Sequence, residues 1–209
     1  RTLDFNEDSS YENVENKAAL IDKNGKGFTP IGIYTSSSSE YKSIPFSGEF
    51  DGQGFEIRNL HINSDIECVG LFGYTSGATI RNVGVTGTII ANRSSRVYAA
   101  GIVANAVNKT YITNCYNEAN IFASGSSANA SGIVAYNYNQ KVSYCYNKGN
   151  IEAVSASYMA NATGISGDGY VFCCYNIGNI KKKGKTESRA YGINRSGIIT
   201  NCYNIGNIS

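Results

Sequence analysis

One histidine, one methionine, two prolines and no tryptophan occur in 209 residues, and only 16% of the side chains are charged. The shortages narrow what the chain does. His61 stands alone, with no His-Glu-x-x-His stretch and no short Cys-x-x-Cys pair, so the residues offer neither a zinc site nor a metallopeptidase centre. Neither metal nor cofactor is expected. No apolar run approaches the roughly 20 residues of a membrane-spanning helix, so no direct insertion is expected of this segment. No glycine-rich turn leads a strand into a helix to cradle phosphate.

Acids are scarce where most of the chain lies. Residues 71–209 hold four, Glu118, Glu152, Asp168 and Glu187, against twelve bases, whereas residues 1–70 hold twelve acids and six bases. Glycoside cleavage needs paired carboxylates, and a polysaccharide lyase needs a calcium site with a base. Four scattered acids supply neither. Glu49 and Asp51 lie by Phe50-Asp-Gly-Gln-Gly54, which reads as turn chemistry. The expectation is a protein without catalytic activity. The net charge is +2, and the basic run Lys181-Lys-Lys-Gly-Lys185 falls in a variable stretch, so it reads as a solvated loop and no nucleic acid is expected as partner.

What is abundant is one phrase. Ile199-Thr-Asn-Cys-Tyr-Asn-Ile-Gly-Asn-Ile208 returns as Val171–Ile180, Val142–Ile151 and Ile112–Ile121. The cysteines of the phrase are spaced by 30, 29 and 28 residues. Two decayed copies are read upstream, Arg81–Ile89 with Val83 in the cysteine place and Arg58–Ile66 with Leu60 there. In every copy six residues separate that place from the following isoleucine, which marks a rigid unit. A second unit precedes each phrase at Gly70, Gly101, Gly132, Gly164 and Gly192, at variable distance.

The fixed segments are β-branched or aromatic and too short for helices. A small repeat cannot bury its own apolar side, so copies must stack. The fold predicted is all-β: a right-handed parallel β-helix of about six coils, each of three short strands. Leucine-rich repeats would need Leu-x-x-Leu-x-Leu, which is absent, and a propeller blade would need a fourth strand. Residues 1–45 lack the phrase and are expected to form an N-terminal cap over the first coil's edge, with a short helix near Tyr11–Asp22. Residues 46–209 are expected to form the coils, with loops around 91–99, 122–131, 152–163 and 181–191. The chain stops directly after a complete phrase, so a longer parent chain is expected.

Stacking turns repeated residues into rows. Cys115, Cys145, Cys174 and Cys202 would lie nearly 5 Å apart, too far for a disulfide, and are expected to be buried free thiols. Cys68 and Cys173 have no cysteine in register. Asn117, Asn147, Asn176 and Asn204 form one amide row, and Asn120, Asn150, Asn179 and Asn207 another. These rows read as structural, by tolerance of left-handed turns and by hydrogen bonding along the axis. Tyr116, Tyr146, Tyr175 and Tyr203 form a third row, a candidate surface for sugar rings or a partner chain. Ile112 and Cys115 are an odd number apart, so strict alternation cannot bury both. A bend near Asn114 would bury both and turn the tyrosines outward. Without a bend, the tyrosines face in and the cysteines out.

Gly48-Glu-Phe-Asp-Gly-Gln-Gly-Phe-Glu-Ile-Arg-Asn-Leu60, then Gly70-Leu-Phe-Gly73, then the Gly-Ile-Val and Asn-Cys-Tyr-Asn-x-Gly-Asn-Ile repeats, resembles the GLUG-motif family over roughly residues 28–209. Such repeats occur in adhesin-like bacterial surface proteins and in the non-catalytic region of IgA-specific metallopeptidases. The resemblance implies a secreted or cell-surface location and carries no catalytic residue. The functional expectation is a non-enzymatic adhesin, spacer or stalk, monomeric, whose partners are host or bacterial surface glycans or proteins. The alternatives are an accessory domain of a secreted peptidase and a carbohydrate-active β-helix.

Overall fold

The structure is a computed structural model that describes residues 2–5, 21–22, 26–34, 36, 43–138, 140–184 and 187–209. These residues form a parallel β-helix of about five turns, fewer than the six coils expected. The expected helix near Tyr11–Asp22 lies largely outside the described residues; its last two residues, Ile21–Asp22, are strand.

One full coil contains more strands than the three expected. It runs Arg96–Ala100, Val103–Val107, Tyr111–Thr113, Tyr116–Asn117 and Asn120–Ser124. The first segment lies in an alanine-rich sheet, the second in a valine sheet and the third in a short sheet. The last two share one long sheet. Each strand pairs in parallel with its equivalents one coil before and one coil after. Ile112, for example, lies between Ile80 and Val142.

The extra strands lie where composition suggested loops. Ser127–Ser131 and Met159–Thr163 pair in register over five residues each. Their alternate residues Ala128, Ala130, Ala160 and Ala162 are buried in the core. Serine, asparagine and alanine read as loop by residue type, yet alanine is the side chain that fits where the winding is narrow. Lys181–Gly184 likewise belongs to a strand, with Lys181 paired to Glu152. Lys181 and Lys183 lie on the exposed side of the long sheet rather than in a loop, with Lys182, opposite Ala153, half-buried between them.

Columns of aliphatic side chains fill the interior. Ile80, Ile112, Val142 and Val171 are fully buried in one, and Ile121, Ile151 and Ile180 almost so in another. Each such side chain contributes roughly 1.5–3 kcal/mol relative to exposure.

The odd spacing inside the phrase is resolved by one residue per coil. Asn82, Asn114, Tyr144, Cys173 and Asn201 have φ of 55°, 52°, 55°, 50° and 53°, and Gly54 has φ 79°. A left-handed residue turns the chain without spending a strand position. Ile112 and Cys115 are therefore both buried, and Tyr116 points outward. The left-handed residues are not those of the two expected asparagine rows.

The first coil is registered differently from the expected copy at Arg58–Ile66. Glu56 pairs with Gly84 and Ile57 with Val85, so Phe55, not Leu60, stands opposite Val83. A register shift between Ile57 and Leu60 brings Ile62, rather than Ile66, opposite Ile89. The letters Arg-Asn-x matched, but the turn Gln53-Gly54 sets the phase.

The N-terminal residues meet this coil on its free side. Leu3–Asp4 pairs in parallel with Glu56–Ser64, and Gly27–Phe28 runs antiparallel to it. Ile31 already bridges Phe72 in the valine sheet. Phe46 and Phe50 pack on Phe72 at ring distances of 5.1 and 5.3 Å.

Candidate binding surfaces

The four repeated rows are next to one another along the long sheet. Cys115, Cys145 and Cys174 are buried, Cys202 is half-buried at the last coil, and all are free thiols. The Cys145 and Cys174 backbone amides donate to the next sulfur at 3.4 and 3.3 Å. Burial raises the Cys145 pKa far above that of a free thiol. Such sulfurs act as small apolar side chains, and Val83 fills the same place with 2% exposure. Cys68 is buried elsewhere, on the alanine sheet, and Cys173 is the half-buried left-handed residue of its coil.

The inner asparagine row is a buried amide ladder. Asn117 Nδ2 donates to Asn147 Oδ1 at 2.7 Å, Asn147 to Asn176 at 2.6 Å, and Asn176 to Asn204 at 2.6 Å. The second N–H of each donates to a carbonyl two residues on, those of Ala119, Gly149, Gly178 and Gly206, at 2.8–2.9 Å. The glycines of the preceding unit make room for the ladder. A Cβ on Gly132 would lie 2.6 Å from Asn147 Cβ, and one on Gly164 would lie 2.7 Å from Asn176 Cγ. The outer row, Asn120, Asn150, Asn179 and Asn207, is exposed, and each Oδ1 up to Asn179 accepts the next asparagine's backbone N–H at 3.1–3.3 Å.

The tyrosines form a continuous stack. Centroids are 4.9, 5.0 and 5.2 Å apart from Tyr116 through Tyr146 and Tyr175 to Tyr203, with planes within 8° of parallel. Tyr116 lies over Gly84 and donates its hydroxyl to Glu56 at 2.9 Å. Its pKa rises through burial first and the Glu56 carboxylate second. Lys148 stands 4.9 Å from the Tyr146 ring centre and 2.7 Å from Glu118. The rings cover one another's faces, the faces on which a sugar would stack. Only Tyr203 ends the row, 55% exposed.

The acids of the coils face bases one turn away. Glu118 meets Lys148, Glu152 meets Lys181 at 3.5 Å, and Asp168 meets Arg195. Asp51 accepts from Gln53 N, Asn82 Nδ2 and Arg81 Nε, with Asn82 the main cause of its lowered pKa. His61 is exposed.

A feature not anticipated lies on the other side. The outer faces of the alanine and valine sheets meet in a concave corner holding a cleft of about 510 Å³. Tyr98 and Asn129 line it from one wall and Tyr136 from the other, with Arg96 at its edge. The rings of Tyr98 and Tyr136 are 5.4 Å apart across the corner. Burial drives the Tyr98 pKa up to about 12. The signal in the sequence was the alternation Tyr98-Ala-Ala and Asn129-Ala-Ser, which set polar side chains outward where loops were expected.

Compared with protein-family models, curated proteins and solved structures, the chain matches none.

Proposed function

We propose that this chain is a non-enzymatic extracellular repeat module of a bacterial surface protein, working as an adhesin or as a spacer that carries a binding surface. The observation that carries the reading is the pairing of the coil acids. Glu118, Glu152 and Asp168 each hold a base of the following coil, and Glu49 and Asp51 share Arg81, so these carboxylates are engaged in ion pairs. The repeated side chains hold coil to coil, as a load-bearing or display scaffold requires. Buried thiols suit an oxidising exterior because burial shields them from reagents, and for Cys68 and Cys145 it also pushes the pKa up, away from the thiolate that reacts. The resemblance to GLUG-motif proteins points the same way.

The test has two arms. Antibody against the purified chain should label intact cells of the source organism, and shaving with protease should remove the label. Incubation with acidic and neutral polysaccharides should release no new reducing ends. Labelling only after lysis overturns the location. Product release abolished by Asp51→Asn or Asp168→Asn overturns the non-enzymatic reading in favour of a carbohydrate-active β-helix.

A further inference from the structure

We propose that the concave corner between the alanine and valine sheets is a binding cleft for an acidic oligosaccharide, with Arg96 receiving a sugar carboxylate. The proposal deepens the adhesin reading and rests on the chain being a binding module. At about 510 Å³ the cleft falls within the roughly 300–1,000 Å³ of small-ligand sites.

Its walls carry the chemistry of sugar recognition. Tyr98 and Tyr136 belong to a tilted pair, not to a closed stack, so ring surface remains on the cleft. Aromatic rings supply apolar area for the C–H face of a pyranose while their hydroxyls stay polar. Between them runs an amide row. Asn161 Nδ2 donates to Asn129 Oδ1 at 3.0 Å, and Asn129 Nδ2 has no hydrogen-bond partner among the described residues. That unspent amide donor on the cleft contrasts with the Asn117 ladder, whose amides satisfy one another.

The charge selects the acid. Arg195 is held by Asp168, whereas Arg96, exposed at the edge of the cleft, has no ion pair among the described residues. A free guanidinium presents a planar fork that fits a carboxylate through two hydrogen bonds. A neutral sugar would leave that fork unused.

The experiment is calorimetric titration of the whole chain with an oligogalacturonate of four rings and with cellotetraose as neutral control. Arg96→Gln, Tyr136→Ala and Tyr146→Ala are compared after circular dichroism has shown that each is folded. The expected result is binding of the uronate, at least tenfold weaker binding of cellotetraose, and a loss of about tenfold in Arg96→Gln. Tyr136→Ala weakens both sugars, and Tyr146→Ala, in the opposite stack, changes neither. Equal affinity of wild type and Arg96→Gln, equal affinity for the two sugars, or a loss confined to Tyr146→Ala overturns the assignment. No uronate binding with the chain still displayed on cells removes the cleft and leaves the surface-module reading. Uronate binding followed by its cleavage keeps the cleft and removes the non-enzymatic reading.

Discussion

Replacing Asn147 by alanine should be among the costliest single changes in the chain. Asn147 is fully buried, donates to Gly149 O at 2.8 Å and to Asn176 Oδ1 at 2.6 Å, and accepts from Asn117 at 2.7 Å. Alanine leaves the Gly149 carbonyl and the Asn176 Oδ1 buried without that donor, at roughly 1–3 kcal/mol each. A small cavity adds to this, so the total is about 3–5 kcal/mol. Asn150→Ala, three residues on, removes two exposed bonds of 3.2 Å, Nδ2 to Asn120 Oδ1 and the Asn179 N–H to its Oδ1, that water replaces, and should cost about 0.5 kcal/mol or less. Asn204→Ala, half-buried in the last coil, should fall between. Asn147→Asp keeps the shape but turns both donors into acceptors, and should be no milder than alanine. Urea unfolding followed by far-ultraviolet circular dichroism gives the ranking. Amide hydrogen exchange at Ile121 and Ile151 shows whether the loss is local, as nearest-neighbour stacking requires. If Asn147→Ala and Asn150→Ala lie within about 0.5 kcal/mol of each other, the buried ladder is not what holds the coils.

Gly132→Ala should destabilise by about 2–3 kcal/mol, since its Cβ would lie 2.1 Å from the Gly164 carbonyl oxygen and 2.6 Å from Asn147, which the ladder pins; an unchanged urea midpoint refutes these contacts. Tyr144→Asn should stabilise by about 0.5–1 kcal/mol, because Tyr144 is exposed with φ 55° and asparagine tolerates that backbone better. The Tyr116 pKa is raised in the fold, so its protonated form contributes stability that is complete below the unfolded value near pH 10 and is lost as pH rises toward the folded value. Tyr116→Phe should flatten that alkaline decline in a thermal melt series. A thiol reagent such as Ellman's should react in native protein with the half-buried Cys173 and Cys202 ahead of the four buried thiols, which become available on denaturation; immediate reaction of all six contradicts the burial.

Stacking and the cysteine, asparagine and tyrosine rows were legible because they depend on residues that repeat at fixed spacing. Parity posed the choice, a bend near Asn114 or tyrosines facing in, and the left-handed Asn114 decides it for the bend, with Ile112 and Cys115 both buried. The alanine sheet was not legible. Ser127-Ala-Asn-Ala-Ser131 has the alternation of a strand in residues whose composition signals a loop, and only pairing with Met159–Thr163 settles which applies. The first coil was misaligned because Arg58-Asn-Leu mimics Arg81-Asn-Val, while the register follows the left-handed Gly54. The concave corner is assembled from strands of successive coils, so no local stretch of sequence announces it.

The left-handed residue that opens each phrase has a further consequence. It works as a phase mark: from Asn82 onward the isoleucine lies seven residues after it in every coil, the first coil absorbing one extra residue in its register shift, while the stretch between one phrase and the next varies. Losing or gaining an entire winding would leave every neighbour relation of the surviving windings intact. Deleting a single residue between Cys145 and Ile151 would put the amide of Asn147 and the side chain of Ile151 out of step with the windings on both sides. Length in this architecture is therefore cheap to change by whole windings and expensive to change by one residue.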